Sequence, residues 1–293
     1  MSMAAPSIGR PQSDRSVAHG RLAALGWSVL GVAAIVASFA PLLVQLGYAI
    51  VAVGVIGMAH GASDLAIVDR ARRPGFLALY GVVSLVCLWW WTAEPAVALP
   101  LFLLASAIHF ALEDAPSGTV AERAARGVSL IATPAVLHRA SLHDLLVIAG
   151  GPDALVQPLV TALALTGGIT AVALLLLAWQ RRDARLATGT LALLVFPPLI
   201  GFSLGFLILH ALPQTAARQQ RIGCASTLDY VRAVAPILLL AFVLAGVVGA
   251  VLLRVDESGV RALFAAIAAL AVPHLLVTPW FAGEPEAAHL RTA

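Results

Sequence analysis

The chain has 293 residues, of which 60% are hydrophobic, and its charged residues comprise only 18 basic and 15 acidic ones. A mean hydropathy of +0.94 excludes a soluble globular protein, because the surface of a folded domain of this size needs more charge. Long continuous apolar runs also exclude an outer-membrane barrel, whose strands alternate with period two. The composition predicts an all-α, polytopic transmembrane helical bundle without a large extramembrane domain.

Hydropathy taken in chain order predicts about ten helices. The first apolar block, residues 22–58, is twice the length of one span and is interrupted at Pro41, so we interpret it as two helices. The block at 126–149 contains Pro134 and is interpreted as a kinked or re-entrant helix. A double-length block, 186–216, is divided by prolines into two helices. The predicted spans after the first block cover residues 75–92, 95–113, 126–149, 158–179, 186–216, 231–253 and 260–281.

The arginines predict the orientation, since the chain contains no lysine and all 18 basic residues are arginines. With a cytoplasmic N-terminus and ten crossings, only Arg139, Arg254 and Arg261 fall on the outer side, as the positive-inside rule requires. Both termini are therefore predicted in the cytoplasm. The predicted organisation is a tail at 1–21, a membrane domain at 22–281 and a second tail at 282–293, in a multi-pass protein of the inner (plasma) membrane.

Two classes of function are disfavoured by the remaining composition. Cys87 and Cys224 lie in an apolar run and a short polar loop, which does not indicate a disulfide framework or a cysteine metal site. The net charge of +3 is spread over loops between apolar spans, so basic residues serve topology and no nucleic-acid partner is expected.

Histidines at membrane depth supply the first functional signal. His60, His109, His210 and His274 fall in the corresponding halves of four predicted helices that run in the same direction. Ionisable side chains are costly in hydrocarbon, so they normally face the interior of a bundle. Because neutral imidazole is a common metal ligand, the four residues predict a transition-metal site, although a hydrogen-bonded core histidine is the ordinary interpretation of any one of them.

Two carboxylates follow these histidines at the i+4 spacing of one helix face. Asp64 follows His60 and Glu113 follows His109. Metal-bound histidines usually donate their second ring N–H to a carboxylate, so both acids are predicted to orient the ligands. The alternative is that each is simply an interfacial residue near the end of its helix. Neither an HExxH motif nor a desaturase-type histidine box occurs.

Short motifs around these residues resemble those of the Brp/Blh family of membrane carotene dioxygenases. They are Gly57-Met58-Ala59-His60-Gly61-Ala62-Ser63-Asp64, Ser106-Ala107-Ile108-His109-Phe110 with Asp114, Arg126-Gly127 leading to Pro134 and His138, and Ala271-Val272-Pro273-His274. The resemblance implies a non-haem Fe²⁺ site held by histidines and the central cleavage of β-carotene with O₂ to retinal. It also implies membrane lipid as the surroundings and a retinal-accepting protein as a partner.

Carried over residue by residue, the metal ligands implied by the resemblance are His60, His109 and His210. The family's next ligand follows as HxxxH, but here that position is Gln214, after Pro213. Gln214 is kept as a candidate ligand, because a glutamine can bind a metal through its carbonyl oxygen, although it is a weaker partner for iron. Either His274 supplies the fourth ligand, or three histidines leave more open positions, or the activity is lost or changed. His138 matches a family position but is predicted near the opposite leaflet and is not assigned to iron.

Aromatic residues near the predicted site are candidates for the lining of a substrate tunnel. Phe102, Phe110, Phe202 and Phe206 are assigned to it, although helical spacing of aromatic residues is also typical of ordinary packing. Two other functions remain open: a transporter or metal-translocating bundle, and a non-catalytic carotenoid- or retinal-binding member of the family, which the glutamine at 214 makes reasonable. A transporter is favoured by carboxylates at several depths, whereas here the polar residues cluster at one level.

Overall fold

The computed structural model describes the backbone of residues 12–254 and 256–281 and the side chains from residue 25 onward within those ranges. Every element in the described residues is helical. We number the continuous helical segments in chain order. They are α1 (Gln12–Ser38), α2 (Leu42–Ile67), α3 (Arg70–Ala93), α4 (Pro95–Glu113), α5 (Val120–Ala132), α6 (Pro134–Leu137), α7 (Arg139–Ile148), α8 (Asp153–Arg181), α9 (Ala184–Val195), α10 (Pro198–Ile222), α11 (Thr227–Leu252) and α12 (Val260–Phe281).

The described helices that are long and apolar enough to cross a membrane number seven, namely α2, α3, α4, α8, α10, α11 and α12. The other three predicted spans correspond to α1, whose apolar part is Leu25–Ser38, to the series α5–α7, and to α9. The all-helical membrane class is thus confirmed, while the count of about ten crossings and the orientation of the termini stay predictions. The predicted C-terminal tail and the first eleven residues lie outside the described residues.

Proline determines most of the helix boundaries. Pro41 separates α1 from α2, and Pro95, Pro134 and Pro198 each occupy the first turn of a helix, where the missing N–H costs nothing. Side-chain caps begin three more helices: Thr119, Asp183 and Ser226 each accept from the backbone N–H three residues later. The predicted breaks at Pro41, Pro134 and Pro197-Pro198 are therefore present.

Contacts between helix ends divide the bundle into two levels. At one level the end of α12 meets the start of α3, where Arg72 donates to the Trp280 carbonyl at 2.9 Å. At this same level, Glu122 at the start of α5 binds Arg181 at the end of α8, at 2.7 and 2.8 Å. At the other level Gly150, after α7, lies against Pro95 at the start of α4. The series α5–α7 thus leads from the level of Glu122 to the level of Pro95.

Two large buried clusters fill the bundle. One joins α1, α2, α4, α5, α8, α9 and α10 and contains Phe110, Phe206 and Leu207. The other joins α2, α3, α4, α7, α8, α10, α11 and α12 and contains Trp91, which is 1% exposed and packs against Phe102. Trp91 thus faces the protein interior, whereas Trp89 on the same helix faces outward.

Candidate metal centre

The four predicted histidines converge in the interior of the bundle. His60 lies on α2, His109 on α4, His210 on α10 and His274 on α12, and each is 8% exposed or less. The ring centroid of His60 lies 5.0 Å from that of His210 and 5.5 Å from that of His274. The ring centroid of His109 lies 5.1 and 5.2 Å from the same two centroids. The rings thus form a closed circuit of four, drawn from four different helices.

The hydrogen bond of His60 fixes which of its nitrogens is available. Its Nδ1 lies 2.5 Å from the carbonyl oxygen of Gly57. A carbonyl oxygen only accepts, so Nδ1 carries the proton and the Nε2 of the neutral ring keeps its lone pair. This is the tautomer that binds a metal through Nε2.

Carboxylates hold Nδ1 of two more histidines. Asp114 Oδ1 lies 2.6 Å from Nδ1 of His210, and Asp64 Oδ2 lies 2.5 Å from Nδ1 of His274. Asp64 also accepts from the Thr278 hydroxyl at 2.7 Å. The Nε2 atoms of His210 and His274 are buried without a hydrogen-bond partner. Buried polar atoms normally have a partner, so these two orphaned nitrogens fit the coordination of a metal ion.

Glu113 brings a carboxylate into the same cluster. Its Oε2 is buried without a hydrogen-bond partner and lies 3.6 Å from Nε2 of His109, beyond hydrogen-bonding distance. Ligand atoms of His109, Glu113 and His274 all lie within 4.8 Å of one another. Two histidines and one carboxylate with open positions are the donor set of many non-haem Fe(II) oxygenases, so the residues present fit ferrous iron.

Asp64 does not bind the histidine that its i+4 spacing predicted. It was expected to orient His60, but its carboxylate binds His274 on another helix. The reason is local, because 3₁₀ turns at Gly57–Ala59 and Gly61–Ser63 flank His60. Residues i and i+4 lie about 40° apart around an α-helix but about 120° apart around a 3₁₀-helix, so Asp64 turns away from the His60 side.

Gln214 lies beside the histidine cluster and is engaged with α4. Its amide nitrogen donates to the backbone carbonyl of Glu113 at 3.2 Å. Pro213 precedes it and cannot donate a backbone hydrogen bond, and the helix widens to a π-helix over Leu207–Ala211, the segment that carries His210. An extra residue in that turn breaks the simple i+4 relation between His210 and Gln214. Binding of the metal by the carbonyl oxygen of Gln214 stays a prediction.

Three of the four predicted aromatic residues lie near the histidines. Phe110 lies 4.7 Å from His210 between ring centroids, and Phe206 lies 5.4 Å from the same ring and 6.1 Å from His60. Phe202 stacks on Phe206 at 5.7 Å. Phe102 packs instead against Trp91 at 5.8 Å. Any role of these side chains in lining a substrate tunnel stays a prediction.

The remaining described histidines lie elsewhere. His138 binds the Val195 carbonyl at 2.9 Å, and His143 pairs with Asp153 at 3.0 Å. Neither contacts the four-histidine circuit. For His138 this agrees with the prediction that it does not bind the iron.

Sequence reasoning missed three residues that support the cluster. Asp114, which was noted only as part of a motif, is the partner of His210. Thr278 binds Asp64, and Arg218 approaches the same carboxylate with its Nη1 3.7 Å from Oδ1. Thr278 follows His274 at i+4, which was a readable signal, whereas nothing in the sequence joins Arg218 to Asp64.

The Arg126-Gly127 motif positions α4, the helix of His109. Arg126 and Arg181 both bind the carboxylate of Glu122, which joins α5 to α8. Gly127 lies directly against the backbone of α4 at Ala107 and Ala111, where a Cβ atom would overlap both. The glycine therefore permits a close crossing of α4 and α5 next to the histidine cluster.

The fold and the cluster define an all-helical protein with membrane-type helices whose interior holds histidines and carboxylates suited to a transition metal. The model of the beta-carotene 15,15'-dioxygenase family matches residues 51–282, and the chain belongs to that family. The match includes all four histidines and confirms the resemblance seen in the short motifs. Neither the curated proteins nor the solved structures compared with the chain gave a match.

Proposed function

We propose that the protein is a membrane non-haem iron dioxygenase that cleaves β-carotene, or a related carotenoid, at its central double bond to give retinal. The observation that carries the proposal is the closed circuit of His60, His109, His210 and His274, with buried Nε2 atoms that lack partners on His210 and His274. Membership of the beta-carotene 15,15'-dioxygenase family supports the reaction class.

Fe²⁺ is the proposed metal, with the four histidines and Glu113 as its ligands. Gln214 is the weakest of the predicted ligands, because an amide oxygen is a weaker ligand for iron than an imidazole nitrogen. Asp114 and Asp64 hold His210 and His274 by their Nδ1 atoms, which fixes ring orientation and raises the basicity of the ligand nitrogens.

The bound iron would supply the activation of O₂, and the protein supplies orientation and a dry surrounding. Phe110 and Phe206 cover the His210 ring with apolar surface, which excludes water from that side of the cluster. In the overall reaction one C=C bond breaks and each of its carbons takes one oxygen atom of O₂, so β-carotene gives two molecules of retinal. No acid or base is needed from the protein.

The surroundings follow from the apolar helices. We place the protein in the inner (plasma) membrane as a multi-pass protein, with membrane lipid around it and β-carotene and O₂ arriving from the bilayer. Retinal leaves to a retinal-accepting protein. A transporter is less well supported, since the carboxylates of Asp64, Glu113 and Asp114 all gather at the histidines and do not extend along a path.

The test is expression of the full chain in a bacterium that accumulates β-carotene, with pigment loss and retinal formation measured together. Wild type is expected to convert the pigment, and His109→Ala to leave it unchanged. His143→Ala is the matched control, because His143 is ion-paired to Asp153 outside the cluster. Iron retained without retinal formation would favour the non-catalytic carotenoid-binding alternative, for which the glutamine at 214 is the specific reason.

A further inference from the structure

An apolar groove opens on the side of the bundle between α1, α2 and α10. Its volume is about 1060 Å³, at the upper end of the roughly 300–1,000 Å³ of ordinary ligand pockets. None of the described residues that line it is charged. The hydroxyl of Tyr48, in its wall, lies 3.5 Å from the carbonyl oxygen of Leu30 on α1. The groove thus offers a long, mostly apolar space, whose polar side-chain groups among the described residues are the Tyr48 hydroxyl and the Trp27 indole N–H.

The inner end of the groove adjoins the metal centre. Ile56 and Leu207 line the groove and are the chain neighbours of Gly57 and Phe206. Gly57 lies directly against the Phe206 ring, which a Cβ atom at that position would meet. The Phe206 ring in turn lies between 5 and 7 Å from the rings of His60 and His210. Phe206 thus contacts two of the histidines and is the chain neighbour of a residue that lines the groove.

Both π-helical segments of the described chain border this groove. Ile50–Ile56 on α2 contributes Val51 and Ile56 to its lining, and Leu207–Ala211 on α10 contributes Leu207. π-Helical turns are rare and occur frequently at functional sites, because the extra residue is tolerated where it shapes a cavity. The π-helical segment that carries His210, and the one that ends four residues before His60, thus both contribute to the inner wall of the groove.

We propose that this groove is the lateral binding site through which the polyene chain of the carotenoid reaches the metal centre from the bilayer, with Phe206 at its inner end. The inference rests on the proposed function. It adds the path by which the substrate reaches the metal centre and the site where its polyene chain binds. A polyene hydrocarbon needs no hydrogen-bond donor and matches the lining. An acyl chain of membrane lipid is the other apolar occupant. Its headgroup stays at the membrane surface, however, and no interaction draws the acyl chain toward the histidines.

Exposed glycines in the groove allow it to be filled without disturbing the fold. Gly26 and Gly47 line the groove, and a Cβ atom at either position meets nothing within 4 Å. Gly81 on α3 and Gly246 on α11 are equally open helical glycines outside the groove and serve as matched controls. The test compares Ala, Leu and Phe at position 47, and Leu at position 26, with Leu and Phe at the two control positions.

Three quantities are measured on each purified full-length variant: β-carotene binding by absorbance titration, the KM for retinal formation, and iron per chain. The groove variants are expected to weaken binding and raise KM progressively with side-chain size, by about tenfold for Gly47→Phe, since a ring excludes part of the substrate. Their iron content stays at the wild-type level, and the controls match wild type in all three quantities.

The outcomes separate the groove from the proposed function. Wild-type binding and KM in Gly47→Phe and Gly26→Leu, with an active wild type, would overturn the groove assignment and leave the dioxygenase proposal standing. The same holds if the groove variants only lose co-purified phospholipid, which would assign the groove to an acyl chain. A wild type that neither retains iron nor binds β-carotene would overturn the proposed function and the groove assignment with it.

Discussion

Replacing Asp64 by asparagine tests how the fold prepares one metal ligand. The carboxylate accepts from Nδ1 of His274 at 2.5 Å and from the Thr278 hydroxyl at 2.7 Å, and it lies 3.7 Å from Arg218. Asparagine keeps the size of the side chain but loses the charge, so the two hydrogen bonds that Oδ2 now accepts become weaker, neutral ones. The tautomer and orientation of the His274 ring are then held less firmly, and so is its Nε2 toward the metal.

The size of the effect follows from the bonds that are lost. Removal of a residue that orients a metal-bound histidine weakens metal binding by about 10–100-fold, or roughly 1.4–2.7 kcal/mol. Thr278→Val removes one hydrogen bond to the same carboxylate and should cost about 1.5–3 kcal/mol of stability, with a smaller loss of metal affinity because His274 keeps its own bond to Asp64. His274→Ala removes the ligand itself and should exceed both. The predicted order of metal affinity is wild type, Thr278→Val, Asp64→Asn and His274→Ala.

Competition with a chromophoric chelator for Fe²⁺ or Co²⁺ measures these affinities on purified protein without any turnover. Asp69→Asn is the control, because Asp69 is exposed and only five residues away. Equal losses in Asp64→Asn and Asp69→Asn would indicate a general charge effect. Wild-type affinity in Asp64→Asn would refute the view that this carboxylate prepares His274 for a metal.

The remaining predictions concern packing, the 214 position and topology. Gly127→Ala should cost about 1–3 kcal/mol of stability and reduce the iron content, because its Cβ overlaps the α4 backbone. Gly81→Ala is the control, because its Cβ enters open space, and it should change neither quantity. Thermal unfolding measures the stability of both variants. Gln214→Ala should retain iron at wild-type affinity if the residue only anchors the Glu113 carbonyl, whereas a large loss of iron would make Gln214 a ligand. Accessibility tags in the loops at 181–185 and 254–258 should report the cytoplasm and the outside, respectively; tags on the same side would contradict the predicted helix count.

The sequence was sufficient for the membrane class, most helix boundaries and the set of four histidines. Prolines and long apolar runs are local signals, so the breaks at Pro41 and Pro198 could be located directly. The meeting of the histidines could be anticipated because hydropathy placed all four in corresponding halves of predicted helices that run in the same direction, and because polar groups avoid lipid.

The partners of the histidines could not be derived in the same way. The i+4 rule assumes a regular α-helix. It placed Glu113 on the same side as His109, which lies in one, although no hydrogen bond joins the two, and it failed for His60 and Asp64, where the backbone tightens to 3₁₀ turns. The bond between Asp114 and His210 joins residues 96 positions apart. Such contacts depend on the packing of α4 against α10, which hydropathy and spacing do not encode.

The central claim is that the four histidines hold the iron of a carotenoid-cleaving enzyme. It is tested most directly by the iron content of purified wild-type protein and of His109→Ala, measured by mass spectrometry after anaerobic loading with Fe²⁺ and removal of free metal. The account predicts about one iron per chain in wild type and almost none in the variant, since a buried site that loses a ligand loses most of its affinity. Full iron occupancy in His109→Ala, or none in wild type, would contradict it.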